Sequence, residues 1–213
     1  MKRSTFVRTF VLALAASAPL AAVGAAPAAH ADAPAAATGW EIDASHSSAT
    51  FSVKHMMVSN VRGEFGKLTG SVAFDAKDWS KTQVDVTIDA ASIGTRDEKR
   101  DAHLKGADFF DVEKFPTITF KSTKAEKTGK GKFKVTGDLT MHGVTKQVSL
   151  VGEGPTAETK DPWGFLRIGA HASTKVDRKD FGLSWNKALD AGGVVVGDEV
   201  TIALDVELKR KAD

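Results

Sequence analysis

The sequence predicts an all-β protein with one short helix, and three observations support this fold class. Apolar and polar residues alternate with a period of two through most of the chain after residue 40. Turn-forming segments separate the alternating stretches, and one charged stretch, residues 96–111, breaks the alternation. This period is typical of antiparallel strands that are buried on one face and solvated on the other.

About eight stretches alternate in this way. They centre on Phe51 and Val53, Val72 and Phe74, Val84 to Ile88, Ile118 and Phe120, Phe133 to Met141, Val148 and Leu150, Leu166 to Ala170, and Val200 to Leu208. Turn residues fill the segments between them, such as 76–81, 127–132, 142–143 and 152–162. Strands joined by such connections favour either an up-and-down barrel or a two-sheet sandwich. A closed barrel of eight strands has an interior that side chains just fill or that holds one small ligand.

The charged stretch predicts a helix over residues 96–112. Thr95 and Glu98 have the spacing of a capping box, and Asp97 and Glu98 place negative charge in the first turn, where the helix dipole favours it. Pro116 ends the segment and opens the next strand.

One face of this predicted helix is expected to lie against the strands. The residues of that face are His103, Ala107 and Phe110. Ion pairs of Arg100 with Asp97 and of Lys105 with Asp108 are expected to orient the helix. Because Gly106 interrupts the helix, we hypothesise that the helix moves as a lid.

The first residues predict a secretory signal peptide over residues 1–31. Lys2, Arg3 and Arg8 precede an apolar run at 10–23, and small residues surround a cleavage point near Ala31. Residues 32–39 are small and contain proline, as in a flexible leader, and residues 40–213 form one domain. We therefore expect an exported protein, periplasmic or secreted.

Composition excludes several classes of function. Without residues 1–31 the chain has 26 Lys and Arg against 27 Asp and Glu, so a nucleic-acid partner is not expected. The sequence contains no cysteine, which excludes thiol catalysis and cysteine metal ligands. No apolar run after residue 31 approaches the ~20 residues that a membrane helix needs, so we expect a soluble protein.

Six blocks of sequence resemble the YceI-like, polyisoprenoid-binding proteins of bacteria. The blocks are WEIDASHS (40–47), FSVKHM (51–56), VRGEFGKLTG (61–70), TRDEKRDAHLKGADFFDVEKFP (95–116), GDLTMHGVTK (137–146) and RKDFGLSWN (178–186). The resemblance implies an eight-stranded antiparallel, lipocalin-like β-barrel with an elongated apolar cavity that holds a long-chain amphiphile. It brings no catalytic residues.

Bulky apolar residues near the loops and the helix are the candidates for ligand binding, because pockets are lined mainly by such groups. They are Phe51, Phe65, Phe74, Phe110, Phe120, Met141, Phe181 and Trp185. Arg178 or Lys179, just before Phe181, could meet an anionic head group, although a solvated charge cluster is the simpler use of the pair.

We therefore predict a non-catalytic, exported, soluble binding protein that sequesters or carries a polyisoprenoid, an isoprenoid quinone or a fatty derivative, without a metal or other cofactor. We also predict transient contact with a membrane or a membrane protein, and a homodimer. Two alternatives stay open. One is a hydrolytic or metal-dependent enzyme that uses His46, His103 or His142, although the spacings of metal motifs are missing. The other is a ligand-free interaction module.

Overall fold

A computed structural model describes residues 39–74, 76–190 and 192–212 of the chain. The predicted signal peptide, residues 1–31, lies outside the described residues, and so does the predicted leader except for its last residue. That residue, Gly39, is the first residue of the first strand.

The described residues contain twelve strand segments, one α-helix and three short 3-10 helices. The strand segments are β1 (Gly39–Ile42), β2 (Ser48–His55), β3 (Ser59–Phe65), β4 (Leu68–Ala73), β5 (Gln83–Asp89), β6 (Ile93–Gly94), β7 (Thr117–Gly129), β8 (Lys132–Met141), β9 (Val144–Glu153), β10 (Thr159–Lys160), β11 (Phe165–Asp177) and β12 (Val196–Lys211). The helices are η1 (Trp79–Lys81), η2 (Ala90–Ser92), α1 (Glu98–Lys105) and η3 (Arg178–Phe181). None of the described helices has the length and apolarity to cross a membrane.

The segments form a closed antiparallel barrel of eight strands, which confirms the predicted fold class. The first three strands are each broken into two segments: β1 with β2, β3 with β4, and β5 with β6. The strands β7, β8, β9, β11 and β12 complete the ring. Pairing of β11 with β12 over the whole length of β11 closes it, so the chain forms a barrel and not an open sandwich.

The predicted alternation appears directly in the burial of the strands. In β8, Phe133, Val135, Leu139 and Met141 are buried, and most of the residues between them are half-buried or exposed. Apolar residues of the other strands meet them inside the barrel and form its core. Burial of one face of each strand therefore drives closure of the sheet.

Successive connections lie at opposite ends of an up-and-down barrel, which gives this barrel two distinct ends. We call the end that carries α1, η3 and the β8–β9 turn the helix end. The other end carries η1, the β7–β8 turn at residues 130–131 and the connection at 154–164, and we call it the Trp79 end.

The helix is shorter than the predicted range of residues 96–112. It spans Glu98–Lys105 and ends at Gly106, where the backbone becomes extended. Ala107 and Phe110 therefore lie beyond the helix, and the predicted apolar face with His103 does not form. Glycine ends the helix here, as its low helix propensity favours.

The predicted capping box is also wrong. Asp97 is the N-cap, and its carboxylate accepts a hydrogen bond from the backbone N–H of Arg100. Thr95 is buried instead and donates both its backbone N–H and its hydroxyl to the carboxylate of Asp101. Because that hydroxyl is engaged inside the fold, it is not available to the helix terminus.

One of the two predicted ion pairs forms. Arg100 lies 3.9 Å from the carboxylate of Asp97. Asp108, however, contacts His103 Nε2 at 2.9 Å, and not Lys105. The chain turns after Gly106, which carries Asp108 back beside the imidazole. The lid hypothesis for this segment stays a prediction.

Candidate ligand-binding cavity

A cavity of about 200 Å³ lies inside the barrel. This volume is more than ten times the ~10–15 Å³ that one water molecule requires, so the cavity is far larger than a packing defect. Its lining comes from all eight strands and from η1. Apart from three threonines, Thr50, Thr82 and Thr174, the lining side chains among the described residues are apolar. An apolar chain is the natural occupant of such a space.

Five of the eight predicted binding residues line the cavity. They are Phe51, Phe65, Phe74, Phe120 and Met141. Four of them come from positions where strand alternation turns an apolar side chain inward, and Phe74 directly follows such a strand. Contact of these side chains with a ligand stays a prediction, but the structure brings all five to the same space.

The other three predicted residues do not belong to the lining. Phe110 packs edge-on against Phe65 from outside, with ring centroids 5.7 Å apart. Phe181 is only 1% exposed and is packed into the core by η3. Trp185 contacts His103 and Phe109, with ring centroids 5.0 and 5.3 Å away. These rings support the helix end and do not form the cavity wall.

Sequence reasoning missed Trp79 and Phe133, which line the Trp79 end. The indole stacks on the Phe133 ring at 5.7 Å and meets Phe74 edge-on at 5.0 Å. Trp79 lies in segment 76–81, which the sequence predicts to be a turn between strands. The signal that could have found it is a large aromatic residue inside an otherwise polar connection.

Glycines make room for three of the lining rings. A Cβ atom at Gly63 would lie 2.4 Å from the Phe51 ring, and one at Gly152 would lie 2.5 Å from the Phe133 ring. Gly137 stands in the same relation to Phe120, at 2.6 Å. Each ring therefore rests against the backbone of a neighbouring strand, which leaves the centre of the barrel open.

The structure rules out a head-group role for Arg178. Its guanidinium is buried and donates to the backbone carbonyls of Leu183, Trp185, Val196 and Gly197. Asp198 accepts a further bond. Because every donor already has a protein partner, Arg178 is a structural residue and not part of a solvated cluster.

Lys179, the other predicted head-group residue, lies outside the cavity lining. Its ammonium group is half-exposed and pairs with Asp198 at 2.8 Å. The described lining therefore contains neither member of the predicted pair.

The three histidines of the enzyme alternative make separate contacts. His103 pairs with Asp108, and His142 donates through Nδ1 to the carbonyl of Phe181 at 3.1 Å. Among the described residues, the one group of three side chains with metal-ligand spacing combines His46 with Asp43 and Glu207.

Arg167 already binds both carboxylates of that group, so a cation would have to displace a guanidinium. Its Nη1 lies 2.8 Å from the carboxylate of Asp43 and also contacts Glu207, while its Nε lies 2.6 Å from Asp161. These ion pairs raise the pKa of Arg167 further above its ordinary range. We call Asp43, Asp161, Arg167 and Glu207 the Arg167 cluster.

The Arg167 cluster predicts a specific acid sensitivity. The Ser45 hydroxyl and the Arg167 guanidinium hold the pKa of Asp43 well below its usual range. Ionised Asp43 therefore stabilises the fold above its unfolded pKa, near 3.9, and this contribution is lost as the pH falls below that value towards the folded pKa. Asp43→Asn should lower the melting temperature by several degrees at pH 7, and the difference from wild type should shrink below about pH 3.

Melting temperatures of both proteins from pH 7 to pH 2 test this prediction. Asp205→Asn is the matched control, because Asp205 is an exposed carboxylate whose one ion pair within the described part of the chain is with His171 on the neighbouring strand. A constant gap between wild type and Asp43→Asn at all pH values would contradict the prediction.

Comparisons with known proteins agree with this barrel. A UPF0312 protein of Vibrio parahaemolyticus is 40% identical over 136 residues, which cover 64% of this chain and 71% of that protein. The crystal structure of BcnA from Burkholderia cenocepacia is 25% identical, with a TM-score of 0.67, and the match covers 78% of this chain and 98% of that one.

A third comparison bears on the fold alone. A structure described as a polyisoprenoid binding domain from Saccharophagus degradans implicated in plant cell wall breakdown has a TM-score of 0.59 at 15% identity. The match covers 82% of this chain and 98% of that one. The profile of the YceI-like domain matches residues 40–208, which is nearly the whole described barrel. The chain therefore belongs to the family of YceI-like domain proteins.

Proposed function

We propose that this protein is an exported carrier or reservoir for a long-chain apolar amphiphile, such as a polyisoprenoid, an isoprenoid quinone or a fatty derivative, bound inside the barrel. The observation that carries the proposal is the apolar cavity of about 200 Å³. The fold that it shares with a polyisoprenoid binding domain supports it. Export rests on the signal-peptide pattern of residues 1–31.

The energetics of burial are sufficient for such a ligand. Each buried CH₂ group contributes ~0.8 kcal/mol, so a chain of about 15 carbons gains roughly 12 kcal/mol. This gain is comparable with the ~4–15 kcal/mol that association costs. An apolar chain can therefore bind without an array of polar contacts. A barrel that served only as an interaction module would be filled by its own side chains, so the cavity favours binding of a ligand.

Organic extraction and mass spectrometry test the proposal. The protein should be purified gently from its native host, and its N-terminal residue should be determined in the same preparation. We expect one long-chain species at close to one molecule per protein, and an N-terminus near Asp32. A barrel that yields no lipid, and that takes up neither isoprenoids nor fatty acids, would contradict the carrier proposal.

Membrane contact is part of this proposal, and its support is the tip of the β2–β3 hairpin. Met56, Met57 and Val58 are exposed there by 42%, 50% and 81%. The two methionines have left-handed backbones, at φ 49° and 62°, which are uncommon for such side chains. Lys54 and Arg62 are exposed on the same hairpin. An apolar tip beside cationic residues is suited to the surface of an anionic bilayer.

Met57→Ser combined with Val58→Ser should slow transfer of a bound fluorescent lipid to anionic vesicles several-fold and leave its equilibrium affinity unchanged. The substitutions remove apolar area that would enter the bilayer but lie outside the cavity lining. Stopped-flow transfer measures the effect. Val151→Ser, an exposed apolar residue on the barrel wall, is the control. Equal transfer rates for wild type and the double variant would remove the hairpin tip from the proposal.

A further inference from the structure

The chain has four methionines, and two of them lie next to each other at the tip of the β2–β3 hairpin. Met56 and Met57 are exposed there, whereas Met141, the one other methionine among the described residues, is 7% exposed and lines the cavity. Met1 belongs to the predicted signal peptide. Since the sequence contains no cysteine, the methionines of the hairpin tip are the sulfur-containing side chains that the described barrel exposes to solvent.

The backbone of the hairpin fixes this exposure. His55 and Ser59 close the hairpin as a strand pair, and the N–H of Val58 donates to the carbonyl of His55 at 3.1 Å. The N–H of Met56 donates to the carbonyl of Val195, 2.8 Å away on the neighbouring segment. Both methionines have left-handed backbones, which such side chains rarely adopt. Apolar side chains that a strained turn holds in solvent are a feature typical of functional sites.

We propose that Met56 and Met57 form an oxidation site, and that peroxide or hypochlorous acid converts their thioethers to sulfoxides and thereby weakens contact of the hairpin tip with a bilayer. This inference rests on the proposed function and adds a means of regulation to it. In the reaction with hydrogen peroxide, a sulfur lone pair attacks one peroxide oxygen and the O–O bond breaks. The sulfur keeps that oxygen and is oxidised by two electrons, and the second oxygen leaves as water after proton transfer.

Oxidation changes the property on which membrane contact of the tip depends. A sulfoxide turns a flexible apolar side chain into a polar one. The apolar area of the tip is then reduced to that of Val58, while the charges of Lys54 and Arg62 remain. Neither methionine of the tip belongs to the cavity lining. Oxidation is therefore expected to slow transfer of a bound lipid to a bilayer without changing the affinity of the barrel for that lipid.

Met141 is the internal control for the chemistry, because it is buried in the same chain. Trypsin cleavage after Lys54 and Arg62 releases the peptide 55–62, which contains both methionines of the tip, and cleavage after Lys134 and Lys146 releases the peptide 135–146, which contains Met141. After treatment of the folded protein with hydrogen peroxide, mass spectrometry should find oxygen added to the first peptide at least about 10-fold faster than to the second, since susceptibility follows exposure. Equal rates in the two peptides would overturn the oxidation site.

Met56→Leu combined with Met57→Leu tests the regulation, because leucine is apolar and does not react with peroxide. The probe is an anthroyloxy-labelled palmitate, loaded into the protein and transferred to vesicles of equal parts phosphatidylcholine and phosphatidylglycerol. Each protein is compared with itself before and after peroxide. Transfer from the wild type should slow several-fold and recover after treatment with methionine sulfoxide reductases A and B, whereas the rate of the leucine variant should not change. The recovery needs no substitution, so it tests the regulation even if the variant does not fold.

The outcomes separate the regulation from the carrier function. If peroxide oxidises the tip but leaves the transfer rate of the wild type unchanged, the regulatory role is overturned and the carrier function stands. The same conclusion follows if peroxide slows the leucine variant equally, as oxidation of the exposed Trp163 would do. If the wild type takes up no probe before oxidation, the carrier function fails and the regulation fails with it.

Discussion

Replacement of Ala172 by phenylalanine is expected to reduce the affinity for a long-chain ligand roughly 200-fold and to leave the barrel folded. Ala172 lies on β11, is buried, and lines the cavity. A phenyl ring there would occupy space equivalent to about four methylene groups of the ligand, and their burial is worth about 3 kcal/mol. A loss of this size is a little more than two decades in the dissociation constant.

Stability distinguishes this effect from simple unfolding. Large side chains normally strain a well-packed core, but a ring that enters an existing cavity gains contacts and relieves empty space. We therefore expect the melting temperature of Ala172→Phe to stay within a few degrees of that of the wild type. Val86→Phe, on the opposite side of the lining, should show the same loss of affinity and the same retained melting temperature. It provides a second test if Ala172→Phe fails to fold.

Val151→Phe is the matched control. Val151 neighbours the same part of β11 across the β9–β11 pairing, but its side chain is 54% exposed on the outer face. Val151→Phe should bind the ligand with the affinity of the wild type. Isothermal titration with one isoprenoid alcohol and one fatty acid measures all three variants. Full binding by folded Ala172→Phe and Val86→Phe would show that the ligand does not occupy the barrel interior.

The strands of this fold could be predicted from the sequence because burial of one face requires apolar and polar residues to alternate along each strand. The alternation around Phe133 and Met141 predicts both the strand and the inward direction of its side chains. Closure of the barrel leaves no such pattern. The alternation alone fits a two-sheet sandwich as well as a barrel, and the resemblance to a family favoured the barrel. Pairing of β11 with β12 is a long-range property of the folded chain.

The binding residues were predictable only where strand geometry fixed them. Phe51 and Phe120 line the cavity because their positions in the strands point inward. Phe181 does not line the cavity, because it belongs to η3 at the helix end, away from the three residue pairs (151–153 with 171–173) that join β9 to β11. Its ring is packed into the core there. Trp79 was missed because it lies in a polar connection without strand alternation. The short helix η1 turns its side chain into the barrel.

Thr82 shows a further limit of the sequence. A threonine at a turn is ordinary, because its hydroxyl usually bonds the local backbone. In the structure, however, its hydroxyl is buried without a partner among the described residues, which no pattern in the sequence indicates.

Arg178→Met is expected to lower the free energy of unfolding by roughly 3–5 kcal/mol, because it leaves buried carbonyl groups unsatisfied. The four carbonyl groups belong to Leu183, Trp185, Val196 and Gly197, and Arg178 is 4% exposed. The guanidinium thereby ties η3 and the segment after it to the start of β12. Burial lowers the pKa of Arg178, but nearby Asp198 and Asp177 oppose this shift.

Urea unfolding of Arg178→Met and of two comparison variants tests this role. Arg178→Lys should not restore stability, since a single ammonium group cannot reach carbonyls that surround a planar fork. Lys179→Met, at the half-exposed neighbour, should change stability by no more than about 0.5 kcal/mol. A loss below about 1 kcal/mol in Arg178→Met would show that the carbonyl groups find other partners. A loss of the expected size, shared by Arg178→Lys, would show that the guanidinium stabilises the helix end through its bonds to these four carbonyl groups. The burial of this charged residue would then be explained by the protein's own structure and not by a ligand.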